Sequence, residues 1–442
     1  MLAGAGSQTL IAALTTTVNT MPQAEIAQRL NQSAQCITLD RALLKRELAR
    51  RERFGAVLAQ LDQTHPHLFS NTAVFITQAT VARMQRVIDA VEAAVACPPY
   101  QDAALAYAPP IARHAAPTRG VFMGYDFHLS SVGPQLIEIN TNAGGAMLNA
   151  VLGAAQRACC AEAEQLHARP LPSEHAEDEF LAMFRREWQL QRGARALKTI
   201  AIVDDAPKSQ FLYPEFLLFQ ALFERAGLNA VIVDSKDLIL AEGELHDGEK
   251  AIDLVYNRLT DFALDEPAHE MLRRAYLDNA VVLTPHPRAH ALFADKRNLC
   301  LLTDEAFMAT LPISAEHKHA LRSGIPRTMT IAPEMATQLW NTRNQWFFKP
   351  AAGYGSRAAY RGAKVTKSVF NDIMHGHYVA QQLVPPAERM VATDAGAKPL
   401  KFDIRCYVYD GRVQLLAARL YHGQTTNFRT PQGGFAPVFY PD

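Results

Sequence analysis

The feature that most constrains the fold is an alternation of short apolar runs with an amphipathic run between residues 198 and 284. A helix is predicted for PEFLLFQALFERAG, with Pro214 in its first turn and Gly227 as its stop. The alternation predicts an open, mostly parallel sheet in an α/β domain. The predicted strands are the apolar runs KTIAIVDD, NAVIVD, IDLVYNR and AVVLTP.

A second pattern is a predicted hairpin at about 120–141, within GYDFHLSSVGPQLIEINTNAGG. Its turn centres near Val132, so Asp126 and Glu138 lie six residues on either side and can face each other across an antiparallel pair. Asn140 shares a strand face with Glu138. Facing carboxylates favour a cation between them, and oxygen ligands suit Mg²⁺ or Mn²⁺. The three residues are the predicted metal site, and a surface hairpin with scattered acids is the alternative.

A further hairpin is predicted for FDIRCYVYDGRVQLLAARLY, because an Asp-Gly pair separates two apolar runs. Strand alternation places Asp403 and Arg405 on one face. Arginines close to a glycine-rich loop suit an anionic substrate or a phosphate, whereas a solvated face with an incidental ion pair is the alternative. More polar residues follow downstream, namely Arg419, Asn427 and Arg429.

The glycine-rich loop is FFKPAAGYGSRAAYRG, in which a strand ends at Lys349 and is followed by Gly353, Gly355 and Ser356. Small residues let backbone N–H groups approach phosphate closely, and the lysine supplies a positive charge. The run from Gly353 to Ala358 also fits a loose dinucleotide fingerprint, which needs a helix to begin at the glycines. Here a return strand is predicted instead, so a flap over phosphates is favoured. A plain surface turn remains open.

Bulk composition excludes some classes of partner. Lys plus Arg and Asp plus Glu both number 44, so no overall field favours nucleic acid or membrane. No apolar run reaches the length of a transmembrane helix, and the first residues lack the features of a signal peptide. The six cysteines form no CxxC pair or regular framework, which predicts reduced thiols in a cytoplasmic protein.

Together these motifs resemble the ATP-grasp superfamily of glutathione synthetase-like carboxylate–amine ligases. The two lysines typical of the family are matched in FADKRNLCLL and FFKPAAGYGS. The hinge strand is matched by YVAQQLV, and the later motifs are matched by FDIRC, TTNFRTPQGG and D…EIN. The family usually has Glu where Gln382 stands. The resemblance implies that the protein binds ATP and Mg²⁺. It implies that the nucleotide is bound by Lys296, Lys349, Gly353, Gly355, Ser356, Gln381, Gln382, Leu383 and Val384, and the metal by Asp126, Glu138 and Asn140. The catalytic residues that it implies are Arg405, Asn427 and Arg429.

The order of the motifs resembles a circularly permuted branch of the superfamily, because the metal hairpin comes first rather than last. The expected fold class combines α+β and α/β parts. It comprises a permuted ATP-grasp fold, a Rossmann-like domain of the kind that precedes ATP-grasp domains, and a helical N-terminal region. The expected boundaries are 1–118 for the helical region, 119–194 for the permuted part with the metal hairpin, 195–288 for the Rossmann-like domain and 289–442 for the nucleotide-binding subdomains.

The resemblance implies an ATP-dependent ligase that joins a carboxylate to an amine through an acyl phosphate, on a small peptide-like or amino-acid substrate. The expected partners are small molecules, with no nucleic acid and no membrane. One alternative is an ATP-binding interaction protein that has lost turnover. Another is a NAD(P)-dependent oxidoreductase that uses the glycine-rich loop. The sequence names neither the carboxylate nor the amine, and it leaves the oligomeric state open.

Overall fold

The computed structural model describes residues 22–51, 61–157, 159–160, 175–353 and 358–440 of the chain. Helices and strands both contribute, as the sequence predicts, and they form several sheets. None of the helices in these ranges is long and apolar enough to cross a membrane. The strands are β1 (Val74–Phe75), β2 (Met123–Ser130), β3 (Gly133–Asn140), β4 (Thr199–Asp204), β5 (Asn229–Asp234), β6 (Ile239–Ala241), β7 (Glu244–His246), β8 (Ala251–Ile252), β9 (Leu254–Asn257), β10 (Val282–Thr284), β11 (Thr328–Thr330), β12 (Trp346–Pro350), β13 (Tyr360–Arg361), β14 (Tyr378–Gln382), β15 (Ala387–Thr393), β16 (Gly396–Tyr409), β17 (Arg412–Tyr421) and β18 (Gly434–Phe439).

The largest sheet joins early and late parts of the chain. Its strand order is β1-β18-β17-β16-β2-β3, and β15 also pairs with β16. The predicted hairpins are confirmed as β2–β3 and β16–β17, and β2 pairs antiparallel with β16. Strand β1 pairs in parallel with β18 at the edge of this sheet, although it lies in the N-terminal region (1–118) that was expected to be helical. The sheet therefore brings the predicted metal hairpin beside the strand that carries Arg405.

The predicted parallel sheet is also confirmed, with strand order β10-β9-β4-β5. The chain passes from β4 to its neighbour β5, and later returns to β9 on the opposite side of β4. The strand order thus reverses between β4 and β9, where ligands commonly bind in open α/β sheets. Tyr213–Arg225 is the predicted helix between β4 and β5, and Gly227 follows it with a positive φ of 79°.

A third sheet, with the order β11-β14-β12-β13, carries Lys349 on β12 and the predicted hinge residues Gln381 and Gln382 on β14. Strand β12 leads directly into the glycine-rich loop, and β13 is its return strand. No helix begins at Ala358 to Arg361; a single 3₁₀ turn follows at Gly362–Lys364, and the next α-helix starts at Lys367. A dinucleotide fingerprint requires a helix at that point, so the geometry of the described part of this loop disagrees with the oxidoreductase alternative.

The sequence pattern predicts a helix over residues 24–62 and another over HALFADKRNLCLL (290–302), and both are interrupted in the structure. The helical pattern at 24–62 is broken after Gln32 and resumes at Arg41, beyond which residues 52–60 lie outside the described ranges. The predicted helix at 290–302 is wrong as a continuous element, because Asp295 is extended and its carboxylate accepts the backbone N–H of Arg297. The helices are α1 (Gln23–Gln32), α2 (Arg41–Ala49), α3 (Leu61–Thr64), α4 (Gln78–Val95), α5 (Pro98–Ala106), α6 (Ala146–Ala154), α7 (Ala176–Arg192), α8 (Tyr213–Arg225), α9 (Glu270–Leu277), α10 (Pro287–Ala289), the π-helical turn His290–Ala294, α11 (Arg297–Leu301), α12 (Glu305–Thr310), α13 (Ala315–Gly324), α14 (Ala336–Thr342) and α15 (Lys367–His375).

The cysteine prediction is wrong for two residues. Cys36 and Cys159 form a disulfide across a sequence separation of 123 residues. Their spacing matches no local motif, because the two residues meet only through the tertiary fold. The other cysteines lie outside this disulfide as thiols, as predicted; they are Cys97, Cys160, Cys300 and Cys406.

The double glycine that follows the metal hairpin fixes its exit against the parallel-sheet domain. A Cβ atom on Gly144 would lie 2.3 Å from Leu212 Cδ1, and Gly145 has a φ of 100°. This close approach lets the Glu215 carboxylate accept the N–H groups of Gly145 and Met147 at 2.9 and 3.0 Å. These groups begin helix α6, whose N-terminal end favours a negative charge. The hairpin is thereby held at a fixed angle to the neighbouring domain.

Candidate active site

The metal hairpin has the predicted register. Asp126 pairs with Glu138, and Gly124 pairs with Asn140. On its other edge, Asp126 pairs with Arg405 of β16. The two strands of this hairpin and β16, from a distant part of the sequence, therefore present polar side chains at one level of the sheet.

Asp126 is completely buried and is held by two arginines. Arg405 donates from Nε and Nη2 to the two carboxylate oxygens, at 2.7 Å each, and Arg419 Nη2 donates to Oδ2 at 2.8 Å. Burial raises the pKa of this carboxyl, but the charges of Arg405 and Arg419 outweigh burial and hold the pKa below its usual value. Asp126 is therefore an ionised partner that orients both guanidinium groups.

The second carboxylate of this network is Asp403. It accepts a hydrogen bond from Arg419 Nε at 2.7 Å and one from Thr426 Oγ1 at 2.6 Å. Two arginines and two carboxylates thus alternate across β2, β16 and β17, with their hydrogen bonds directed at one another. Such charge-assisted, bidentate pairs hold guanidinium groups in a defined geometry.

Glu138 and Asn140 are half-buried and line a central cavity of about 310 Å³, whereas Asp126 lies behind them. Asn140 Nδ2 donates to Asp126 at 3.0 Å and to Glu138 at 3.2 Å. The donor set has the oxygen chemistry that Mg²⁺ requires. Glu138 and Asn140 can face a metal as placed. Asp126 can join them only by exchanging an arginine contact for the ion.

The two predicted phosphate-binding lysines line the same cavity. Lys349 is buried, and its Nζ donates to Ile137 O and to Gln381 Oε1, both at 2.8 Å. Burial lowers the pKa of Lys349 to about 8. Lys296 lies in the break between the two short helices of 290–302, where its Nζ donates to Gly353 O at 2.8 Å. That break directs Lys296 toward the glycine-rich loop.

The predicted hinge residues Gln381 to Val384 line the cavity, but much of their hydrogen-bonding capacity is already used. The N–H groups of Gln382 and Leu383 donate to Arg327 O and Gln345 O at 2.8 and 2.7 Å. His128 Nδ1 lies 2.8 Å from Val384 O. The Gln381 amide holds Lys349 rather than facing open space, so its observed contact is with the lysine.

Asn427 and Arg429 lie at the edge of this arrangement. The Asn427 amide bonds to its own loop, donating to His422 O at 2.9 Å and accepting the Arg429 N–H at 3.0 Å. The Arg429 side chain is exposed, and the cavity wall is formed instead by the preceding residues 423–426. The structure therefore gives Asn427 a role in shaping the loop. Gly355 and Ser356, the other predicted loop residues, lie outside the described residues.

The charge of the central cavity favours an anionic ligand. Its described wall carries six cationic side chains and three carboxylates, which is suited to a polyphosphate. Several residues of the cavity wall were not among the predicted site residues. His128 and Asp403 were detectable from alternation, because each lies two positions from a predicted site residue. The six cationic residues of the wall are Lys296, Lys349, Arg361, Lys364, Lys401 and Arg419, and its three carboxylates belong to Glu138, Glu388 and Asp403.

Comparison with solved structures gives similarity over nearly the whole chain. A glutathione synthetase-like effector from Globodera pallida, in its apo form, matches with a TM-score of 0.54 and 10% identity, covering 91% of this chain and 98% of that one. A putative gamma-glutamylcysteine synthetase from Methylobacillus flagellatus KT matches with a TM-score of 0.44 and 10% identity, covering 80% and 84%. The ATP-grasp ligase PsnB, complexed with a phosphomimetic variant of its minimal precursor, Mg and ADP, matches with a TM-score of 0.31 and 18% identity, covering 54% and 79%. No protein-family model and no curated protein sequence matches the chain.

Proposed function

We propose that this chain, which has an ATP-grasp-like fold, is an ATP-dependent ligase that joins a carboxylate to an amine. The observation that carries the proposal is the central cavity, where two lysines, a carboxylate–amide pair and an arginine network meet at one wall. A cationic cavity with an oxygen-ligand pair on its wall is suited to a nucleotide triphosphate bound with a metal. The description of the Globodera pallida protein as glutathione synthetase-like agrees with this class of reaction.

The lysines are the groups proposed to hold the phosphates. Lys349 uses two of its three donors within the protein, which leaves one for a phosphate oxygen. Lys296 reaches the glycine-rich loop from the other side, and the loop from Gly353 to Ser356 is the proposed flap. The hinge at 381–384 is the proposed adenine site. Because the Leu383 N–H and the Val384 carbonyl are already engaged, the proposed adenine contacts are the Leu383 carbonyl and the Val384 N–H.

Glu138 and Asn140, together with Asp126, are the proposed ligands for Mg²⁺. A magnesium ion held by these residues would offset the negative charge of the phosphates. Because Asp126 also orients Arg405, its carboxylate connects the proposed metal position to the proposed catalytic arginine.

In the proposed reaction, an oxygen of the substrate carboxylate attacks the γ-phosphorus, the bond to ADP breaks, and an acyl phosphate forms. The amine nitrogen then attacks the acyl carbon, a C–N bond forms, and inorganic phosphate leaves with the electron pair of the broken C–O bond. Arg405 is held by Asp126 near the cavity wall and would stabilise the developing negative charge, and Arg429 would do so from the neighbouring loop. No protein nucleophile is needed.

The substitution Glu138→Gln tests this proposal. It keeps the size of the side chain but removes the charge that would hold the metal, so we expect ATP turnover to fall by about 100-fold. Turnover is measured as phosphate release with a panel of amino acids, peptides and amines. Glu388→Gln, at an exposed part of the same cavity wall, is the matched control and should retain activity.

Each other outcome has a definite meaning. Undiminished turnover in Glu138→Gln would show that the metal assignment is wrong. ATP binding without phosphate release from any substrate pair would favour a nucleotide-binding protein that has lost turnover. Thermal stabilisation by NAD(P), but not by ATP with Mg²⁺, would reject the ligase proposal.

A further inference from the structure

Arg389, on strand β15, is a buried cation without an acidic partner. Its side chain is completely buried, and none of the described carboxylates forms an ion pair or a hydrogen bond with it. Burial lowers the pKa of Arg389 to about 10, and no negative charge opposes this effect. A buried charge is costly unless a group of opposite charge compensates it. The position therefore suits a negative charge that the acidic residues do not supply.

The hydrogen bonds of Arg389 lead to the segment that carries Cys36. Nη1 donates to Ser33 O at 2.8 Å, and Nη2 donates to Cys36 O at 3.3 Å. Nη2 also donates to Thr72 Oγ1, and this hydroxyl in turn donates to Cys36 O at 2.6 Å. The guanidinium is thus fixed against the backbone of the residue whose sulfur forms the disulfide with Cys159.

The two cysteines of the disulfide differ in their exposure to solvent. Cys36 is buried, whereas Cys159 is partly exposed. An incoming thiol therefore meets Cys159 first, and the sulfur that leaves is that of Cys36, on the side of Arg389. A neighbouring cation lowers the pKa of a thiol, and a thiolate of lower pKa leaves a disulfide faster.

The segments that carry the two cysteines are also held together by other contacts. The Asp40 N–H donates to Ala155 O at 3.0 Å, and the Arg157 N–H donates to Thr38 O at 2.8 Å. Asp40 and Arg157 also form an ion pair at 2.5 Å, so their charges compensate each other. These contacts do not depend on the disulfide. The two sulfurs therefore stay close after reduction, and the bond can form again.

We propose that the bond between Cys36 and Cys159 is a site of reversible thiol–disulfide exchange that takes a small thiol as its co-reactant, and that Arg389 stabilises the Cys36 thiolate. The thiolate of the incoming molecule attacks Cys159 Sγ, the S–S bond breaks, and its electron pair leaves on Cys36 Sγ. A second thiolate, from the same or another molecule, then attacks the sulfur attached to Cys159. Cys159 is released and takes up a proton from solvent. In total, two thiols are oxidised to a disulfide while the protein disulfide is reduced.

Equilibration with mixtures of reduced and oxidised dithiothreitol tests the inference. The parent chain carries Cys160→Ser, which removes the thiol 3.8 Å from Cys159 Sγ. The reduced fraction is measured by alkylation and mass spectrometry, while circular dichroism verifies that the chain is folded. We expect the equilibrium constant for reduction to fall about tenfold in Arg389→Gln, because the thiolate loses its counter-charge. Arg389→Lys keeps the charge and should stay closer to the parent. Lys45→Gln, at an exposed position of helix α2, is the matched control and should leave the constant unchanged.

A purely structural role for Arg389 predicts the opposite sign. If the guanidinium only held the carbonyl groups near the end of helix α1, its loss would loosen the segment and make the disulfide easier to reduce. An unchanged or larger equilibrium constant in Arg389→Gln would therefore overturn the inference. A wild-type disulfide that dithiothreitol cannot reduce in the folded chain would do the same.

A second measurement retains Arg389 and decides the matter if Arg389→Gln does not fold. In Cys159→Ser, the Cys36 thiol has no disulfide partner and stays beside the guanidinium. We expect the ultraviolet absorbance of a thiolate at neutral pH in this variant, and its loss when Cys36→Ser is added. The same absorbance in both variants, or its absence from Cys159→Ser, would contradict the role proposed for Arg389.

Discussion

Lys349 is a residue of the central cavity whose charge depends on pH. Its pKa is lowered to about 8 by burial, so in the nucleotide-free protein it loses its proton as pH rises through that value. If it holds phosphate, the dissociation constant of ATP with Mg²⁺ should increase about tenfold for each pH unit above 8. The measurement is a titration with a fluorescent nucleotide from neutral to alkaline pH. Lys349→Gln should bind ATP weakly, and its dissociation constant should not change with pH in this way.

The matched control is Lys364→Gln, because Lys364 lines the same cavity from an exposed position. It should keep the pH dependence of the wild type. If the dissociation constant of Lys349→Gln kept the pH dependence of the wild type, the assignment would be contradicted.

The burial of Lys349 has the opposite pH dependence in its effect on folding stability. Because the folded-state pKa lies below the unfolded value, protonated Lys349 destabilises the fold, and this penalty diminishes as pH rises from about 8 toward 10.5.

At the scale of elements, strand β18 depends on one glycine at its start. Gly434 has a φ of 95°, and a Cβ atom there would lie 2.3 Å from His67 O and 2.5 Å from Leu68 O. The next residue, Phe435, donates to Leu68 O at 2.8 Å, so the contact cannot open without breaking this pairing. Gly434→Ala should lower the free energy of unfolding by about 2–4 kcal/mol, measured by denaturant titration.

Gly423→Ala is the control for backbone strain alone. Gly423 also has a positive φ, of 111°, but no atom lies within 4 Å of the added Cβ position. The loss in this variant should be about 1 kcal/mol. Equal losses in the two variants would mean that the close approach of residues 67 and 68 to β18 is not what requires glycine.

At the scale of the whole molecule, the disulfide between Cys36 and Cys159 constrains a long segment of the unfolded chain. With a sequence separation of 123 between its ends, the loop-entropy relation predicts that the bond contributes about 5 kcal/mol. Reduction, or Cys36→Ser, should therefore lower the free energy of unfolding by several kcal/mol. Cys300→Ser, which removes a free thiol, should have little effect. Identical unfolding curves with and without a reductant would refute the bond in solution.

The sequence predicted features whose determinants are local. Counting from the hairpin turn predicted the Asp126–Glu138 register, and Asp-Gly between two apolar runs predicted β16–β17; both predictions are confirmed. Alternation placed Asp403 beside Arg405 on a strand face, but it gave no indication that Arg419 would bridge Asp403 and Asp126. That bridge depends on three strands meeting, which no local pattern specifies.

The predictions that failed depended on long-range or competing contacts. Cys36 and Cys159 carry no spacing signal, since only the tertiary fold brings them together. Apolar periodicity favoured a continuous helix through Asp295, whereas the Asp295 carboxylate caps the turn that begins at Arg297. The assignment of Asn427 to catalysis depended on its motif alone and stays a prediction; in the structure its amide bonds within its own loop.

The pairing of Asp126 with Arg405 imposes an order of events during synthesis of the protein. The two residues are 279 positions apart, so at 5–20 residues per second the carboxylate leaves the ribosome about 15–55 s before its guanidinium partner. Until then the hairpin has a polar strand edge without its neighbour, and such an edge can pair with other chains. Slow elongation after residue 140 should therefore favour aggregation of nascent chains, and a chaperone that covers β2 should suppress it.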